Sequence, residues 1–165
     1  NSNKKLNLKK YSLIVKKFKE KHKTKIIFEP GRSIIGNSGI LITKIIYIKE
    51  SYKKNFIILD AAMNDFMRPA LYNAKHRIIP AIKNKNQSDK TYEFVGPICE
   101  STDKFLTQKK FQKLKENDLI LICDVGAYGM SLSSNYNTRP KPAEILIKNS
   151  KIKIINKRQN LKDLI

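Results

Sequence analysis

Apolar positions recur at helical spacing at the start of this chain. Through the rest they come in short runs or at every second residue. Leu6, Leu13, Ile14 and Phe18 lie between lysines and predict an amphipathic helix over Leu6 to His22. The run Lys25-Ile26-Ile27-Phe28 predicts a short buried strand that ends in Glu29-Pro30-Gly31-Arg32-Ser33. From there the pattern is β. Strands are predicted at Gly39 to Ile48, Phe56 to Leu59, Arg77 to Ile82, Thr91 to Val95 and Leu119 to Cys123. Glu144 to Ile147 and Lys151 to Ile155 predict a hairpin around Asn149-Ser150. Only Phe105 to Leu114, with Ser131 to Asn135 a second candidate, reads as short helical turns.

A helix, a link and a buried strand ending in a glycine loop form the closing half of a βα repeat. One such unit cannot close an eight-stranded barrel. The expected architecture is therefore mainly β. Residues 36–165 are read as a C-terminal sandwich or barrel of short strands. Residues 1–35 are read as the last helix and strand of a (β/α)8 barrel, so the chain is expected to be part of a longer protein.

Composition adds limits. Hydrophobic residues make up 41% of the chain, which suits a globular domain. No window approaches the ~20 apolar residues of a membrane span, so no membrane partner is expected. The net charge of +20 raises the question of nucleic acid, but only five of the 34 basic residues are Arg. Lysine is spread along the chain with an excess of Ile and Asn, the mark of compositional drift. Base readout favours Arg and single-strand binding favours aromatic platforms, so no nucleic-acid partner is expected. Cys99 and Cys123 stand outside any Cys/His cluster, which predicts free thiols, a cytoplasmic setting and no metal site.

Four polar clusters sit at strand ends. They are Glu29-Pro30-Gly31-Arg32-Ser33-Ile34, Asp60-Ala61-Ala62-Met63-Asn64-Asp65 running into Arg68-Pro69-Ala70-Leu71-Tyr72, Gly96-Pro97-Ile98-Cys99-Glu100-Ser101-Thr102-Asp103, and Asp124-Val125-Gly126-Ala127-Tyr128-Gly129-Met130 leading to Ser134-Asn135-Tyr136-Asn137-Thr138-Arg139-Pro140. Each alone is a turn, and Cys99 alone could be a small core hydrophobe. Together they supply Arg, Tyr, a Cys–Glu pair and glycine loops, a set suited to a phosphorylated cofactor and a charged substrate.

In order and spacing, these four motifs resemble those of diaminopimelate decarboxylase, of the pyridoxal-phosphate decarboxylases with an alanine-racemase-like (fold-type III) architecture. The resemblance runs from about Ile26 to the end. It implies decarboxylation of meso-2,6-diaminopimelate to L-lysine, the last step of lysine biosynthesis, with pyridoxal 5'-phosphate as cofactor. It implies that Glu29, Pro30, Gly31 and Arg32 contact the cofactor phosphate. Arg32, Arg68 and Tyr72 would hold the distal carboxylate of the amino-acid substrate, and Glu100 its distal ammonium. Tyr128 would touch both cofactor and substrate, and Cys99 would be the proton donor. It further implies a homodimer in which the Cys99–Glu100 pair reaches into the partner's site. The family's cofactor-bearing lysine precedes the E-P-G-R strand and has no match here, so a chain inactive by itself is expected. The alternatives are an ornithine- or arginine-type decarboxylase and a non-catalytic regulatory homologue.

Overall fold

The computed structural model describes residues 6–52 and 54–165. They fall into two compact units, the first ending at Pro30 and the second spanning Gly31–Ile165.

The first unit is built on α1 (Leu8–His22), which starts two residues later than the apolar pattern predicts. Asn7 sets that start: its side-chain oxygen accepts the Lys10 N–H at 2.9 Å and satisfies one of the helix's orphan donors. Lys19, Lys21 and His22 occupy the last turn, where the helix dipole favours positive charge, and Lys23 closes it at φ 46°. No residue of α1 is buried. The predicted strand over Lys25–Phe28 does not form among the described residues. Three apolar side chains can fill a strand's faces, but its backbone needs a neighbouring strand.

In the second unit, β1 (Ile40–Glu50), β2 (Asn55–Leu59), β3 (Ile78–Pro80), β4 (Thr91–Val95), β5 (Lys104–Lys109) and β6 (Leu119–Cys123) form one sheet. Its order is β3-β6-β1-β2-β4-β5. Every pairing is antiparallel except β2 with β4. The expected mainly β architecture is borne out. Side chains alternate across the sheet, and one face supplies the core. Ile45, Ile57, Leu59, Tyr92, Phe94, Phe105, Ile120 and Ile122 point into it and are joined by Ala61, Phe66, Ile78 and Phe111. Cys123 is buried with them. β7 (Glu144–Lys148) and β8 (Lys151–Asn156) form a separate hairpin. Its two-residue turn has Asn149 at φ 49° and Ser150 at φ 61°, the positive values that a tight hairpin requires.

Two departures have clear causes. Residues 104–109 are β5, not a helical turn. They pair antiparallel with β4, from Thr91↔Lys109 to Val95↔Lys104, so the open edge of β4 outweighs a weak helical pattern. α2 (Arg32–Ile35) and α3 (Arg68–Tyr72) are single turns within clusters read as loops. Five residues are too few to show a 3.6-residue period. Pro69 suits the first turn of α3, where its missing N–H leaves nothing unpaired.

Candidate active site

Two tight loop contacts assemble the first part of the site. Past the end of β6, Val125 N–H donates to Gly39 O at 3.1 Å and Gly126 N–H to Gly36 O at 2.9 Å. This pins the Tyr128 loop against the segment that follows α2. The approach is possible only without a side chain at 126, since a Cβ there would lie 2.1 Å from Ile35 O. Gly126→Ala is therefore expected to lower unfolding free energy by more than about 2 kcal/mol, measured by urea melts. The loop also holds Asp124 at φ 63° and Tyr128 at φ 58°. Left-handed geometry at non-glycine residues costs on the order of 1 kcal/mol each and clusters at functional sites.

That loop lays Tyr128 over Gly31 and Arg68. The hydroxyl would lie 2.8 Å from a Cβ on Gly31. The Arg68 guanidinium carbon sits 5.6 Å from the ring centroids of both Tyr72 and Tyr128, within cation–π range. Arg68 is 7% exposed, and its Nε has no hydrogen-bond partner among the described residues. Arg32, Tyr72 and Tyr128 are exposed. Glu29 and Pro30 are exposed too, and they belong to the first unit.

His76 lies near this group and is buried. Its Nδ1–H donates to Cys123 O at 3.0 Å, and its ring meets Phe66 edge-on at 4.6 Å. Burial holds its pKa below the ordinary imidazole value, and the positive charges of Arg68 and Arg32 add to this. The hydrogen bond to Cys123 and the charge of Asp124 oppose it. A base with a depressed folded-state pKa stabilises the fold above the unfolded value, near 6.5, and loses that contribution as pH falls. Stability is therefore expected to drop below about pH 6.5, and His76→Gln should flatten that part of the drop. Urea midpoints of both proteins between pH 7.5 and about 5 check this.

The second part of the site follows β4. Cys99 and Glu100 are exposed on the turn, and the Glu100 carboxylate accepts the Tyr136 hydroxyl proton at 2.5 Å. That bond raises the Tyr136 pKa, because the carboxylate disfavours a phenolate. The chain next to Tyr136 is anchored by Arg139. Its Nε–H donates to Asn64 Oδ1 at 3.0 Å, its terminal N–H to Asp60 O at 2.6 Å, and it lies 3.7 Å from Asp65. Asn64 is fully buried and donates to Ser134 O at 3.2 Å. Burial raises the Asp65 pKa, against the Ala62 N–H and the Arg139 charge.

The site residues of the second unit named from sequence thus fall into two groups, with Glu29 and Pro30 in the first unit. One is Gly31, Arg68, Tyr72 and Tyr128, with Arg32 at its edge, and the other is Cys99 and Glu100. Among the described residues no hydrogen bond, ion pair or ring contact joins them directly. Tyr136, Arg139, Asn64 and Asp103 lie inside the quoted motifs, but sequence reading assigned them no role. Their signal was only their presence in those motifs. Also among the described residues, no His/Cys/Asp/Glu group could hold a metal, and no helix is long and apolar enough to cross a membrane.

The chain is similar to known proteins over most of its length. The diaminopimelate decarboxylase of Helicobacter pylori is 48% identical over 139 residues, 84% of this chain and 34% of the relative. That of Aquifex aeolicus is 44% identical over 147 residues, 89% of this chain and 35% of the relative. A crystal structure of diaminopimelate decarboxylase from Helicobacter pylori complexed with L-lysine matches with a TM-score of 0.87 at 42% identity. The match covers 99% of this chain and 40% of that one. The chain spans about a third of the length of the curated relatives it matches. The family model for the C-terminal sheet domain of pyridoxal-dependent decarboxylases matches residues 11–126. With the sheet and the four motifs in place, the chain belongs to the pyridoxal-dependent decarboxylase family, whose C-terminal sheet domain it carries.

Proposed function

We propose that this chain is the substrate-recognising part of a decarboxylase that converts meso-2,6-diaminopimelate to L-lysine. The observation that carries this reading is Arg68. A guanidinium that is 7% exposed, within cation–π range of two tyrosines and unpartnered at Nε is built to receive an anion. The donor set also suits pyridoxal phosphate. Gly31 leaves room for a backbone to approach an anion, and Arg32 and Tyr128 flank it. Gly31, Arg32 and Tyr128 would hold that cofactor, which when bound supplies an electron sink for the electrons left by departing carbon dioxide.

The remaining roles belong to side chains of this chain. Arg68, Arg32 and Tyr72 bind the distal carboxylate of the substrate. Glu100 binds the distal ammonium, and Tyr136 fixes the direction of its carboxylate. Binding both remote groups orients the reacting carbon. The Cys99 thiol, which must be protonated to act, delivers its proton to the carbon that loses carbon dioxide. In this reading the enzyme is a homodimer in which the Cys99–Glu100 turn of one copy completes the site of the other. A substrate lacking the distal carboxylate leaves Arg68 unpaired, which sets the preference for diaminopimelate over ornithine or arginine.

The test is a chimera in which this chain replaces the matching part of the Helicobacter pylori enzyme. Carbon dioxide release from meso-diaminopimelate, and none from ornithine or arginine, is expected. Release from ornithine or arginine, or from no substrate, overturns the reading. The 165-residue chain mixed with pyridoxal phosphate is expected to show no absorbance band of lysine-bound cofactor.

A further inference from the structure

We propose that Asp103 is the positioning residue of the Cys99–Glu100 turn, its carboxylate locking that turn to the loop that leads into α3. The proposal rests on the reading above for the role of Cys99, while the hold itself is read from contacts within this chain.

Asp103 is 3% exposed. Its two carboxylate oxygens are used separately. Oδ2 accepts the Ile98 N–H at 2.8 Å, inside the turn, and Oδ1 accepts the Met63 N–H at 2.7 Å, on the Asp60–Asp65 loop. Both are charge-assisted bonds in a water-poor setting, where they hold geometry most strongly. The backbone of the turn closes around the same residue. Gly96 N–H donates to Asp103 O at 3.0 Å, Asp103 N–H to Glu100 O at 3.1 Å, and Glu100 N–H to Ile98 O at 2.8 Å. Cys99 lies in the middle of this ring of bonds. Gly96 clears the space for the carboxylate, since a Cβ there would lie 2.3 to 2.6 Å from Asp103 side-chain atoms. One buried acid therefore ties the turn bearing the thiol and Glu100 to the segment that carries Arg68. Tyr136 holds Glu100 from outside, so the turn is fixed on two sides.

Asn at 103 keeps the shape but turns one acceptor oxygen into an N–H donor facing a backbone N–H. In the purified chain, Asp103→Asn is expected to speed amide hydrogen exchange at Ile98 or Met63 at least about tenfold. Exchange at Ile120, in the core of β6, should be unchanged, and the buried Cys123 should stay closed to iodoacetamide. In the chimera, kcat is expected to fall about tenfold or more, and Cys99→Ala should cost much less on the Asp103→Asn background than alone. That non-additivity is what a merely structural role would not produce. Unchanged exchange at both amides, or additive losses, overturns the proposal. Altered exchange with a Cys99→Ala enzyme of full kcat overturns the proton-donor reading and leaves only the turn's anchor. Should Asp103→Asn fail to fold, Asp103→Glu keeps the charge and both acceptors but moves them by one methylene. It should show the same non-additivity, and wild-type kcat in it overturns the proposal.

Discussion

Cys99→Ala is expected to lower kcat of the chimeric enzyme about 10²- to 10⁴-fold while KM for meso-diaminopimelate stays within a few-fold. The reason is the division of labour between the two groups of side chains. Binding is assigned to Arg68, Arg32, Tyr72 and Glu100, and none of them loses a partner when the thiol is removed. Only the step that needs a proton at the reacting carbon is affected. The loss should therefore appear in kcat and kcat/KM equally, the pattern of an interaction made only in the transition state. The same substitution leaves the fold intact, because Cys99 is exposed and takes no part in the core. Steady-state kinetics with a thermal melt checks both halves. An unchanged kcat would remove Cys99 from the mechanism.

Arg68→Ala should act on the other parameter. Removing one member of a buried, desolvated charge pair typically costs about 3–5 kcal/mol, so kcat/KM is expected to fall roughly 10²- to 10⁴-fold, mainly through KM. Arg68→Lys should not recover it, because an ammonium lacks the planar fork of donors that the guanidinium offers beside the Tyr72 and Tyr128 rings. The variant should also lose its preference for meso-diaminopimelate over substrates without a distal carboxylate. Folding is a separate readout. Arg68 carries an unpartnered buried Nε in this structure, so its removal relieves a desolvated charge and should not lower the melting temperature. A normal KM in Arg68→Ala would sink its assignment as the substrate's anion receptor.

The strands with strong local signals were legible in advance. β2, β4 and β6 match the predicted spans within a residue, and the hairpin is announced by Asn149-Ser150 between two alternating runs. β5 was not legible, because Phe105, Leu106, Phe111 and Leu114 follow neither one helical face nor the strict alternation of a strand. The open edge of β4 decided between them. The run Lys25–Phe28 shows the reverse: it is strand-like in side chains, but no strand pairs with it among the described residues.

The site divides the same way. The sequence alone determined which residue types stand at the strand ends and in what order, and that was enough to place the chain in its family. Such information is local, because each motif is contiguous and its spelling survives without any knowledge of the fold. What only the tertiary structure decided is which of those residues meet. Asp103 reaches Met63 across 40 positions, Tyr136 reaches Glu100 across 36, and Arg139 reaches Asn64 across 75. Periodicity reports whether a residue faces a core or solvent, but it carries no information about partners that far away. Burial of Arg68, the Gly126 contact and the anchored Cys99 turn all arise from such pairings, made when the sheet forms and brings distant loops to one end.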